Sequence, residues 1–88
     1  MKLLLVDDDA SHLKMLTAVL SRGGYQLDTA GSGEAAVQKV KQAGVDLVLM
    51  DVKMEGMDGI EAMSRMVSLR PGIPIVLMTA FGSIDAAV

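Results

Sequence analysis

The polar and apolar positions of the chain alternate in blocks. Lys2–Val6, Asp46–Met50 and Ile73–Met78 are short segments dominated by aliphatic residues. The run Leu47 to Met50 shows no alternation at all, which fits a strand covered on both faces, as in a parallel sheet. Tyr25 to Ala30 instead sets Tyr, Leu and Thr against Gln, Asp and Ala, the period of two expected of a half-exposed edge strand. Between these segments the period lengthens. Leu13, Leu16 and Leu20, with Val19 beside them, predict a helix over Ala10–Arg22 that Asp9 caps and Gly23-Gly24 stops. Ala36, Val37 and Val40 predict a second helix over Gly33–Gln42. Ile60, Met63 and Val67 predict a third, opened by an Asp58–Glu61 capping box and closed by Arg70-Pro71-Gly72. Pro74 is tolerable near the start of its strand. Lys53–Gly59 and Thr79–Gly82 read as loops, and Ser83 as the cap of a further helix from Ile84.

The resulting β-α-β-α-β-α-β order predicts an α/β fold with a parallel sheet and right-handed crossovers. Eighty-eight residues allow one domain. A chain of this size buries roughly 60–65% of its unfolded surface, so its stability margin is thin. With one Phe, one Tyr and no Trp, the core falls to aliphatic residues and to the eight methionines, whose unbranched chains fill irregular gaps.

A net charge of −3 with scattered Lys and Arg argues against direct nucleic-acid binding by this segment. The absence of Cys excludes disulfides, thiolate metal sites and thiol catalysis. The opening MKLLLV is broken by aspartates before a signal-peptide core of about 7–15 apolar residues can form. No run approaches the ~18 apolar residues of a membrane span. A soluble, cytoplasmic domain without membrane contact is expected.

The chemistry lies at the strand ends. Asp7 and Asp8 follow the first strand and Asp51 follows the third, on the edge where open α/β sheets bind ligands. If those strands are neighbours, three carboxylates share one pocket and ionising them together is unfavourable. A divalent cation removes the conflict, and an oxygen-only set favours Mg²⁺ or Mn²⁺ over zinc. With the cation bound, such a site attracts phosphate and leaves a carboxylate available as a nucleophile. Thr79, ending the fourth strand on the same edge, places a hydroxyl within reach of a phosphoryl oxygen. Read singly, Asp51 is equally a strand-ending cap, and Thr79 a residue bonding its own backbone. His12, alone and on a polar face with Lys14, reads as a solvated helix residue.

The blocks LLLVDDD, DLVLMDVKMEGMDG and PIVLMTAFG resemble those of the receiver domain of two-component response regulators, at matching spacing over nearly the whole chain. TAFGSIDAAV together with Lys53 is most similar to receivers of nitrogen-regulatory-type activators, in which an AAA+ ATPase and a helix-turn-helix domain follow. The resemblance implies a flavodoxin-like receiver fold over residues 1–88. Its function would be that of a signalling module rather than an enzyme. By that resemblance, a sensor histidine kinase would pass a phosphoryl group to Asp51, and the result would control an output domain, transcription regulation in the full protein. It further implies that Asp8 binds Mg²⁺ directly, that Asp7 binds it through water, and that Lys53 completes the shell with its backbone carbonyl. Thr79 matches the switch hydroxyl, and Ala80 the small residue beside it.

The chain departs from the family at Met54-Glu55, where a proline usually follows the methionine. The family's phosphate-contacting lysine, its aromatic switch residue, the fifth strand and the last helix would all lie beyond Val88, so the domain reads as C-terminally truncated. Ile73–Met78 would then be an exposed sheet edge, and such edges recruit partners, so a homo-oligomer through that strand is expected. The Leu13/Leu16/Leu20 face would lose part of its cover. The alternative is a truncated α/β fragment that acts only as a structural, self-associating module. Other readings fail on particular residues. Lys53 and Ala62 spoil the calcium-loop offsets counted from Asp51. Three aspartates stand where a dinucleotide fold needs glycines, and Lys53 stands where aspartate-nucleophile phosphohydrolases usually carry a second acid.

Overall fold

The computed structural model describes residues 1–42, 44–51, 59–78 and 84–87. Its elements run β1 (Lys2–Val6), α1 (Ala10–Ser21), β2 (Gln26–Ala30), α2 (Gly33–Gln42), β3 (Leu47–Asp51), α3 (Gly59–Leu69), β4 (Ile75–Met78) and β5 (Ile84–Ala87). The strands form one sheet of order β2-β1-β3-β4-β5. The first four are parallel, with Leu4 level with Asp28 and Val48, and Val48 level with Ile75. This is the flavodoxin-like order expected, with β2 on the outside as its alternating pattern indicated.

Local chemistry explains where the helices begin and end. The Asp9 carboxylate accepts from the backbone N–H groups of Ser11 (2.9 Å) and His12 (3.3 Å), satisfying donors that a helix start leaves orphaned. The Ser32 hydroxyl accepts from Ala35 N–H (3.1 Å) and does the same for α2. After α1 the chain turns through Gly24 at φ +78°, and after α3 through Gly72 at φ +89°, conformations that a side chain would strain.

Because side chains alternate across a strand, Leu4, Val6, Val48, Met50, Ile75 and Leu77 all point to one face of the sheet. There they form a continuous core with Ala36 and Val40 of α2 and Ala62 and Met66 of α3. Leu3 and Leu5 of β1 are buried on the opposite face, where α1 lies. Yet α1 itself has no buried residue, and Leu47, Leu49 and Val76 on that face are only half-buried. The amino ends of the strands are pinned together. Lys2 N–H donates to the Asp46 carboxylate (2.7 Å), Asp46 N–H donates to the Lys2 carbonyl (2.8 Å), and Gln26 N–H donates to the Met1 carbonyl (3.1 Å). The Arg70 guanidinium donates to the Val45 carbonyl.

The last described segment differs from expectation. Ile84–Ala87 is a strand, not the start of a helix, and it pairs antiparallel with β4, Met78 level with Ile84 and Ile75 with Ala87. A single helical turn fixes several dihedrals for one hydrogen bond, whereas pairing satisfies a row of backbone groups that β4 would otherwise present unpaired. The exposed edge expected at Ile73–Met78 is therefore covered by the same chain, and self-association through that strand loses its basis. The strand itself begins at Ile75 rather than Ile73, since Ile73 N–H closes the preceding turn onto the Arg70 carbonyl (3.1 Å). The Asp58 cap, the cap at Ser83, and the loops expected over Lys53–Gly59 and Thr79–Gly82 lie outside the described residues, apart from Gly59, which opens α3.

Candidate functional site: an acidic pocket at the carboxyl ends of β1 and β3

A parallel ladder places strand tips at one edge, and β1 and β3 are direct neighbours with Val6 level with Met50. The residues that follow, Asp7 and Asp8 on one side and Asp51 on the other, therefore meet. Each of the three offers a carboxylate oxygen, and these oxygens lie within 4.8 Å of one another. The sequence-derived pocket is thus assembled as to its acids. Asp8 is exposed, Asp51 half-buried and Asp7 almost fully enclosed at 1% exposure. Thr79, Ala80 and Lys53 lie outside the described residues.

Asp7 is held from several directions. Its backbone N–H donates to the Ala30 carbonyl (3.1 Å), tying the tip of β1 to that of β2. Its Oδ1 accepts from Asp9 N–H (3.0 Å), and its Oδ2 faces Nδ1 of His12. Against a carboxylate, Nδ1 carries the proton, because an unprotonated nitrogen would oppose lone pair to lone pair.

The position of His12 corrects the sequence reading. The ring is 35% exposed and paired with Asp7, rather than solvated on a polar face. The reason is geometric. Helical side chains lean toward the helix N-terminus, so the third residue of a helix that begins immediately after the acids overhangs the strand tip. The signal was available in the spacing Asp7, Asp9, His12, but counting helical faces alone conceals it.

The donor chemistry suits a hard divalent cation. Three carboxylate oxygens converge at distances that a small ion can bridge, and the nearby imidazole nitrogen is turned to a carboxylate. Partial neutralisation of three adjacent negative charges is what such an ion supplies.

Comparison with known proteins gives concordant results. The family model described as response regulator receiver domain matches residues 3–88. The transcriptional regulatory protein ZraR of Klebsiella oxytoca is 44% identical over 86 residues, which are 98% of this chain and 19% of that protein. Sporulation initiation phosphotransferase F of Bacillus subtilis is 40% identical over 84 residues, 96% of this chain and 68% of that one. Among solved structures, a CheY-like response regulator receiver domain protein from Methanospirillum hungatei superposes with a TM-score of 0.87 at 29% identity, covering 93% of this chain and 66% of its own. Chemotaxis protein CheY4 of Vibrio cholerae gives 0.85 at 33% identity, covering 93% and 70%. The chain spans about a fifth of the length of the transcriptional regulators it matches, and the similarity to such regulators accords with the activator-type receiver that its sequence resembles.

Proposed function

Since the chain belongs to the response regulator receiver domains of two-component signalling, we propose that it accepts a phosphoryl group on Asp51 from a sensor histidine kinase, with Mg²⁺ in the acidic pocket, and so controls a transcriptional output. The observation that carries this reading is the convergence of Asp7, Asp8 and Asp51 from two separate strand tips, with donor oxygens within 4.8 Å.

In this mechanism a carboxylate oxygen of Asp51 attacks the phosphorus of a phosphohistidine. A P–O bond forms, the P–N bond breaks, and the imidazole leaves with the electron pair. Asp8 and Asp7, with the backbone carbonyl of Lys53, would hold the cation. Bound there, Mg²⁺ supplies charge neutralisation for an incoming phosphoryl group that the carboxylates alone would repel. The Thr79 hydroxyl then turns toward the new phosphoryl oxygens, and Ala80 leaves room for that movement. Nothing in this sequence of steps asks for a general acid or base beyond the leaving imidazole. Positioning and electrostatics suffice.

Incubation with acetyl phosphate and Mg²⁺, followed by intact-mass measurement, tests the reading. One phosphoryl addition is expected, lost in Asp51→Asn and on chelation of the metal. A folded sample that takes up no phosphate, or an Asp51→Asn variant labelled as readily as the original, would leave only a structural module.

A further inference from the structure

Asp7 is the most enclosed of the pocket's acids, and both of its oxygens meet partners on its own chain segment: Oδ1 accepts from Asp9 N–H and Oδ2 faces the His12 ring. One hydrogen bond leaves a carboxylate free to swing about it. Two, on different oxygens and from donors fixed at the start of one helix, set both of its side-chain torsions. Those donors are held in place, since Asp9 itself caps α1 through Ser11 and His12 N–H. The ring of His12 thus stands on a backbone that its own cap immobilises. Each carboxylate oxygen retains a second lone pair, so this hold does not use up the capacity of Asp7 to face an ion or its water.

We infer that His12 is a positioning residue for the divalent cation: its Nδ1–H, bound to Asp7 Oδ2, keeps the Asp7 carboxylate turned toward the oxygens of Asp8 and Asp51. The inference rests on the metal reading given above and adds a residue to it. Ligating carboxylates generally need such outer partners, and removing one costs about 10–100-fold in metal affinity. The ring also sets a positive dipole against the buried carboxylate, which without it would face two other acids with only one backbone amide in support.

Mn²⁺ binding to the whole chain, followed by the electron paramagnetic resonance of the free ion, reads this directly and needs no phosphoryl transfer. Mn²⁺ takes the same oxygen ligands as Mg²⁺. His12→Ala is expected to weaken binding about tenfold. His12→Asn, whose amide nitrogen occupies the place of Nδ1, is expected to restore affinity to within about threefold of the original, a rescue that helix stability alone does not predict. Circular dichroism confirms the fold of each variant. Asp8→Asn separates the two readings. If the original chain binds Mn²⁺ and Asp8→Asn does not, the metal site stands, and His12→Ala binding as tightly as the original, or more tightly, overturns the role of His12 alone. Equal losses in His12→Ala and His12→Asn overturn it as well. If the original chain binds no Mn²⁺, or Asp8→Asn binds equally, the metal site falls and the inference with it.

Discussion

The two faces of the sheet are built from the same strands and nearly the same residue types, yet they are sealed to different degrees. On the α2/α3 face, Leu4, Val6, Val48 and Met50 are wholly excluded from water, and Ala36, Val40, Ala62 and Met66 close over them. On the α1 face, one helix covers the centre of β1, where Leu5 is buried, but Leu49 and Val76 are half-buried, and Met15 and Val19 of α1 are 53% and 58% exposed. Two helices seal a face of this width; one does not. An uninterrupted apolar strand therefore reports that a face is meant to be covered, without reporting how completely.

The sharpest way to probe that difference is to truncate neighbours on one ladder. Leu4→Ala, into the sealed face, is expected to lower stability by about 2–5 kcal/mol, a large share of what a domain of this size has. Leu49→Ala, on the other face, is expected to cost about 1–2 kcal/mol, because part of that side chain already meets water. Urea denaturation with a common slope measures both; equal losses would erase the distinction. A smaller effect is expected on the outer surface of α1. Met15→Ala and Val19→Ala should each fall within about 0.5 kcal/mol of the original in the same assay, and a loss of several kcal/mol from either would show that α1 is buried in solution.

A comparably small effect belongs to the rim of the sealed face. There Asp28 of β2 accepts from the Lys39 ammonium of α2 (2.8 Å), with Lys2 4.0 Å away. The Lys39 hydrogen bond holds the Asp28 carboxyl below its ordinary value, helped by Thr29 N–H and Lys2 and opposed by partial burial. A carboxylate lowered in the folded state stabilises it fully above the unfolded value, about pH 4, and ceases to do so as pH falls through the lowered one. Asp28→Asn should therefore cost at most about 1 kcal/mol at neutral pH. The gap between the two proteins should close as acid is added below about pH 4. A gap that persists or widens in acid would contradict the assignment.

Most of the architecture was legible in the chain because its signals are local. The first two helices, over residues 10–21 and 33–42, end two residues before Gly23 and Gly44, the third ends just before Arg70-Pro71-Gly72, and the pocket follows from two strand tips and the parallel ladder. What escaped depended on objects the local pattern does not contain. Ser83 and Ile84 carry a helix-start signal, but Ile84–Ala87 answers to the unpaired edge of β4, a tertiary demand that overrides propensity. The environment of His12 is hidden because helical periodicity carries no record of how the first turn leans toward the strand tip.

The pins at the amino ends of the strands give the molecule a fixed root. Lys2 with Asp46, Gln26 with Met1, and Arg70 with Val45 clamp the side of the sheet opposite the acids. The clamped rim holds the strands in registration at the end away from the acids. The two ends of each strand therefore differ in kind: one is tied across the sheet by backbone bonds, and the other carries the acids.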